Sequence, residues 1–380
     1  MIDILFYYNL VKLWGARFVL MFRARLSEFK VFQVESSSLF GQLSADLKRG
    51  FEVALDRALL RIDKIPFATR SWIEEELRSL ATAEASDQTR SRVAEVEAAL
   101  RLSWLGPVER VKAVERRRGI RRPDLRVEGI NIEVYCPQEH TLEKQVAQAD
   151  LRRQLEAQAG SVRVAVTVSY PATGSGRRVC EDGTIRRDPA NRALMYPANK
   201  LIDRILTEKR SGGQFPDKEM NILWLDLKHG LGLSSVDCMP FRSVIAKGTC
   251  FTGTSGVWHG FFAEEGSPLL ADRTALEWPV GRPTYGQQKC GWFRELPKVS
   301  AAILSTRDGL VFFENPWASA PLGDTERQKL FRLSELRPEL SWSNESGTLR
   351  HDVAIMLAKI SWLARLACSE QGSSDLDSDS

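Results

Sequence analysis

The chain has 380 residues, 43% of them hydrophobic and 27% charged, with a formal net charge of +4. That length exceeds one ordinary domain, so a core with appended segments is expected; the small charge excess argues against binding nucleic acid through bulk basicity and leaves that task to local clusters. The six cysteines, Cys136, Cys180, Cys238, Cys250, Cys290 and Cys368, form no CxxC pair and have no histidine at zinc-finger spacing, which argues against structural zinc. With no disulfide framework or secretion signal, the expected compartment is the cytoplasm.

The first 25 residues are rich in apolar side chains, but Asp3, Asn9, Lys12 and Arg17 interrupt them. The segment is too broken to be a transmembrane helix and reads as a buried or protein-partner-binding helix, with an interfacial membrane segment as the other reading. Helical stretches follow at Phe51 to Asp63, Ser71 to Leu80 and Arg90 to Leu102, the last two joined by the polar run ATAEASDQTR. Residues 1–104 thus form a mainly helical N-terminal region.

From Gly106 the pattern changes. Pro107 suits the first turn of a helix that Gly119 would end, and two brief strands, a polar helix and the β-branched run SVRVAVTVSY come next. Residues 171–192 read as an irregular insertion and Asn199 to Lys209 as a helix. MNILWLDL is apolar on both faces, as a central strand requires. Further strands are expected at Ser255 to Phe262, Ser300 to Thr306 and Leu310 to Glu314, the last two forming a hairpin around Arg307-Asp308-Gly309. Residues 105–320 then make an α/β domain with insertions. Residues 321–368 make a helical C-terminal extension with a helix from Arg350 to Leu366, and the polar tail 369–380 is expected to be disordered.

The chemistry concentrates in VERVKAVERRRGIRRPDLRVEGINIEVYCPQ. A two-residue turn at Glu128-Gly129 sets Val127 against Ile130, Arg126 against Asn131, Leu125 against Ile132 and Asp124 against Glu133. Leu125, Val127, Ile130, Ile132, Val134 and Cys136 then share one face, and Asp124, Arg126, Asn131, Glu133 and Tyr135 share the other. Opposed carboxylates with Cβ atoms ~5 Å apart repel. A divalent cation relieves that repulsion, since Mg²⁺ is commonly held by one or two carboxylates, waters and substrate phosphate; an exposed polar face screened by Arg126 is the alternative.

On the helix before the hairpin, Glu115 falls on the same side as Val108 and Val111 and is a possible third metal ligand, or the partner of a surface arginine; Glu109 lies elsewhere on that helix. Arg116, Arg117, Arg118, Arg121 and Arg122 surround the helix end, where they either complement the helix dipole or grip a nucleic-acid backbone. Elsewhere, the glycine-bearing pieces PATGSGRR and GTCFTGTSG lack the Gly-Lys-Ser/Thr closure of a phosphate loop. Asp226 ends a strand and reads as structural, His259 as a packed strand residue, and Trp224, Trp258, Trp278 and Trp292 as core.

A helix with Glu, a strand with Pro123-Asp124, a strand with Glu133-Val134-Tyr135, then a helix and a strand resemble the α-β-β-β-α-β core of the PD-(D/E)xK, or restriction-endonuclease-like, superfamily. The resemblance spans about 65 residues, Gly106 to Tyr170. It implies an α/β, restriction-endonuclease-like mixed-sheet core and Mg²⁺- or Mn²⁺-dependent cleavage of nucleic-acid phosphodiester bonds, with Asp124 and Glu133 holding the metal. Tyr135 stands where the family carries its catalytic lysine, and a neutral phenol does not supply that positive charge at pH 7. Lys144 on the following helix is the candidate replacement, with Gln138 or His140 as polar substitutes. A catalytically inactive nuclease fold serving as a binding or scaffold module is the competing expectation.

Overall fold

A computed structural model describes residues 65–80, 86–111, 123–137, 215–231, 233–246, 249–254, 256–270, 283–286 and 290–374, together with residues 54, 57, 58 and 83 and the strands 177–179 and 185–187. The expected strand SVRVAVTVSY, the helix Asn199 to Lys209, the apolar N-terminus, most of the helix from Phe51 to Asp63, and Trp278 lie outside them. The chain divides into two compact units, each assembled from separated segments. The first draws on Met1–Cys136, Gly212–Gly230 and Lys298–Ser341, and the second on Pro137–Ser211, Leu231–Pro297 and Trp342–Ser380.

The first unit is a mixed α/β layer. Helices α1 (Phe67–Leu80) and α2 (Asp87–Leu102) precede strands β1 (Val108–Arg110), β2 (Leu125–Val127) and β3 (Ile130–Tyr135). Ser86 caps α2 by accepting a hydrogen bond from the Thr89 N–H, while the Thr89 hydroxyl oxygen accepts one from the Ser86 N–H. This reciprocal box starts the helix inside the expected ATAEASDQTR connection. The expected helix at Gly106 is corrected as well: Val108–Arg110 is a strand antiparallel to β2, with Val108 opposite Val127. The Val108 carbonyl accepts a hydrogen bond from Thr69 of α1 (2.8 Å), and the Arg110 guanidinium lies 4.3 Å from the centre of the Trp72 ring. These contacts decide between the two periodicities that a short V-x-x-V stretch allows.

The β2–β3 hairpin has the expected register, Val127 opposite Ile130, Arg126 opposite Asn131 and Leu125 opposite Ile132. Glu128 and Gly129 both take positive φ, 49° and 80°, the backbone that a tight two-residue hairpin demands. After it come β4 (Arg177–Val179) and β5 (Ile185–Arg187), which pair with each other in the second unit, then β6 (Asn221–Asp226) and the one-turn helix α3 (Leu227–Gly230). β6 runs parallel to β3, with Val134 opposite Trp224.

The second unit continues with the pair β7 (Phe241–Ala246) and β8 (Thr249–Thr254), helix α4 (Gly256–Phe262), the pair β9 (Pro268–Leu270) and β10 (Pro283–Gly286), and the short helix α5 (Trp292–Glu295). The expected strand at Ser255 to Phe262 is therefore a helix. Val257, Trp258, Phe261 and Phe262 recur at i, i+1, i+4 and i+5 and are all buried, as is His259 between them, with Trp258 packing on Phe262 and Trp342, and Phe261 on Trp292.

In the first unit, β11 (Ala301–Thr306) and β12 (Gly309–Glu314) form the expected hairpin, and β11 also pairs in parallel with β6. The resulting six-stranded sheet has the order β1-β2-β3-β6-β11-β12, which puts MNILWLD at its centre. One face carries Ile132, Val134, Ile222, Trp224, Ile303 and Phe312 and shares a core with α1, α2 and helix α6 (Asp324–Leu330). Arg327 of α6 closes that side by donating two hydrogen bonds to the buried Glu314 carboxylate, at 2.8 and 2.9 Å. At the start of β6, Asn221 accepts from Asn131 and donates to the carbonyls of Pro216, Glu219 and Lys298, so its side chain is fully engaged. Helix α7 (Leu349–Ser374) extends past the expected end at Leu366 into the segment expected to be disordered, leaving 375–380 outside the described residues. Among the described residues, no helix is long and apolar enough to cross a membrane.

Two hairpin glycines should separate by cost. Gly129 has φ +80° and open space where a Cβ would sit, whereas a Cβ on Gly309 (φ +152°) would fall 2.7 Å from the Glu335 carbonyl oxygen. Gly129→Ala is expected to cost ~1 kcal/mol and Gly309→Ala ~2 kcal/mol or more in urea denaturation.

Candidate functional site

Asp124 lies on the chain entering β2, outside the strand in which the sequence placed it, and Glu133 in the middle of β3, and both are buried. Asp124 lies one residue beyond the Leu125–Ile132 pair, and its Oδ2 accepts a hydrogen bond from the Val134 N–H at 2.9 Å. Glu133 pairs with Leu223 across the parallel ladder. By strand alternation it points away from the face that Val134 and Trp224 give to the α1–α2 core. Tyr135 closes β3 and is buried. The remaining expected site residues, Glu115, Lys144, Arg116, Arg117, Arg118, Arg121 and Arg122, and the substitutes Gln138 and His140, lie outside the described residues.

A second group of ionisable side chains meets on the opposite face at the same end of the sheet. Val93, Val96 and Leu100 of α2 enter the core, and Glu97 enters with them at 1% exposure. Its Oε1 takes the ammonium of Lys228 and the Nε of Arg101 (2.8 Å), while its Oε2 lies 3.1 Å from His229 Nε2. Arg101 extends the network to Glu335. Lys228 and His229 reach Glu97 because β6 turns directly into α3, a turn held by Asp226, whose Oδ1 accepts from the His229 N–H at 2.8 Å.

The group contains three possible metal-ligating residues, Glu97, Asp226 and His229, with donor atoms all within 4.8 Å of one another. From the sequence Asp226 reads as a structural strand-end residue, and Glu97 is not among the residues it singles out. The available signal was local: VAEVEAALRL places Glu97 and Arg101 at i, i+4 in a helix whose neighbouring positions are apolar.

Burial drives the two carboxyls in the same direction, and their neighbours separate them. Desolvation alone would raise Glu97, but Lys228, Arg101 and His229 together outweigh it and hold the carboxyl well below the ordinary range. At Asp226 desolvation prevails over His229 and Lys228, and the charge of Glu97 adds to it, so this carboxyl is pushed up. Glu97 therefore contributes stability that is present above its unfolded value and is lost as pH falls through the folded one. Asp226 has the opposite sign: its contribution is present below its unfolded value and is lost as pH rises through the folded one.

No protein-family model, curated protein or solved structure matches the chain.

Replacing Glu97 by Gln leaves two buried cations without their shared anion and is expected to cost ~3–5 kcal/mol in urea denaturation at neutral pH. Asp226→Asn keeps the oxygen that holds the α3 turn and removes the desolvated charge. Its stability relative to wild type should increase as pH rises from mildly acidic to neutral, measured by denaturation midpoints across that range; a constant difference would contradict the raised Asp226 carboxyl.

Proposed function

We propose that the chain is a divalent-metal-dependent, nuclease-like protein that acts on nucleic-acid phosphodiester bonds through a restriction-endonuclease-like core. One observation carries the reading: a helix is followed by three antiparallel strands, β1-β2-β3, and the next strand of the sheet, β6, lies parallel to β3 with Asp124 and Glu133 at the β2–β3 hairpin. It is similar to the order implied by the resemblance, with α2 rather than a helix at Gly106 in the leading place and β6 rather than SVRVAVTVSY as the strand parallel to β3.

Asp124 and Glu133 are hard oxygen donors on adjacent strands and fit Mg²⁺ or Mn²⁺, and Glu115 is the third acid of this reading. The metal, when bound, supplies a Lewis acid for a phosphate oxygen and lowers the pKa of water. The chain's part is to hold the carboxylates in register through the short β2–β3 turn and to fix Asp124 on the Val134 N–H. Arg116, Arg117, Arg118, Arg121 and Arg122 would neutralise the phosphate backbone, and Lys144 would supply the positive charge and proton transfer that Tyr135 does not.

A second reading is favoured by Tyr135 itself. A buried phenol at the lysine position suits a nuclease fold retained as a nucleic-acid-binding or scaffold module without turnover.

Plasmid, single-stranded DNA and RNA incubated with the full chain in Mg²⁺ or Mn²⁺ separate the two. Cleavage that is abolished by EDTA, by Asp124→Asn and by Glu133→Gln is the expected result, with Lys144→Ala lowering the rate by on the order of 10²-fold. Metal-independent binding of nucleic acid without any cleavage would replace the enzyme by the binding module.

A further inference from the structure

The two ends of β6 differ in how they satisfy their polar groups. At Asn221 every side-chain donor and acceptor is engaged, whereas three buried polar atoms around the Asp226 end have no hydrogen-bond partner among the described residues: Asp226 Oδ2, His229 Nδ1 and Ser305 Oγ. Ser305 is the direct cross-strand partner of Asp226 in the β6–β11 ladder, so its side chain shares the face of Asp226. Residues Asp226 and Ser305 are at most 1% exposed. Buried polar atoms are nearly always paired, and the unpaired Asp226 Oδ2 and Ser305 Oγ, lying beside the Glu97 carboxylate and the His229 imidazole, point to a ligand that engages them.

We propose that Glu97 Oε2, Asp226 Oδ2 and His229 Nε2 form a binding site for one divalent transition-metal ion, with Ser305 Oγ beside it to hold a metal-bound water. The donor spacing supports an ion. His229 Nε2 lies 3.1 Å from Glu97 Oε2 and 3.9 Å from Asp226 Oδ2. The longer gap is too wide for a hydrogen bond, while donors ~2.1 Å from one ion sit ~3.0–3.4 Å apart at octahedral or tetrahedral angles, so a small closure of Asp226 completes the set. The cations already present do not compete for the same atoms: Lys228 and Arg101 take Glu97 through Oε1 and leave Oε2 turned to the imidazole.

The donor chemistry selects the metal. Two carboxylates and one imidazole favour Mn²⁺, Fe²⁺ or Zn²⁺ over Mg²⁺, which prefers oxygen donors and retains its waters. This centre is on the sheet face opposite Glu133 and does not depend on the nuclease reading.

The test uses the full chain, stripped with EDTA and titrated with Mn²⁺ in excess Mg²⁺, with free Mn²⁺ counted by electron paramagnetic resonance. One Mn²⁺ per chain is expected in wild type and in Asp124→Asn, with affinity lowered at least ~10-fold in both Asp226→Asn and His229→Gln. Folding of each variant is checked by circular dichroism, and the wild-type melting temperature should rise with Mn²⁺ but not in Asp226→Asn. Absence of tight Mn²⁺ in folded wild type overturns the proposal. So does undiminished binding in folded Asp226→Asn and His229→Gln, and so does loss in Asp124→Asn alone, which would assign the ion to the other face.

Discussion

The Glu97 carboxylate is the charge around which the first unit is assembled. A lone carboxylate at 1% exposure would be prohibitive, and this one is sustained because three basic side chains from two elements converge on it. Arg101 comes from the same helix one turn later, and Lys228 and His229 come from the turn in which β6 becomes α3. Satisfying Glu97 therefore fastens α2 to the centre of the sheet at a fixed depth. Arg101 carries the same constraint to Glu335, beside the point where the chain returns to pair with Leu310.

That fastening explains why polar chemistry gathers at one end of the sheet. β3 and β6 run parallel, so both finish at the same edge, and open α/β sheets commonly place their ligands outside the carboxyl ends of parallel strands. Asp124 arrives at this edge from the antiparallel β2 and caps Val134. The edge thus has two faces with different contents. Toward α2 lie Glu97, Asp226, Lys228 and His229, and away from it lies Glu133. Carboxylates separated by a sheet do not share an ion, so each face must be judged by its own donors.

The opposite end of β6 shows what a purely structural polar cluster looks like in this fold. Asn131 and Asn221 bond to each other, and Asn221 reaches three further carbonyls, leaving no unmet capacity among the described residues. Asp226, by contrast, spends one oxygen on the α3 turn and leaves the other buried. The two ends thus differ: one polar group uses its capacity to fix the chain, and the other keeps a buried oxygen without a hydrogen-bond partner among the described residues.

Local patterns were enough for much of the sheet. Glu128-Gly129 sets the β2–β3 register because only that turn puts the apolar residues on one face, and the same reasoning gives the Arg307-Asp308 hairpin and the central position of MNILWLD. Local patterns failed where two periods fit equally. Val108–Arg110 satisfies a helical spacing but is drawn into the sheet by β2 and by Thr69. SGVWHGFF, short and rich in aromatics, suits a strand but coils because its paired aromatics bury at i, i+4 against Trp292 and Trp342. The burial of Asp124 and Glu133 on either side of the β2–β3 hairpin follows from turn geometry, which relates residues close in sequence. The meeting of Glu97, Asp226, His229 and Ser305 was not legible in the sequence, because these residues lie on separate elements brought together by α2 packing on a parallel sheet, and no spacing within the chain encodes that approach.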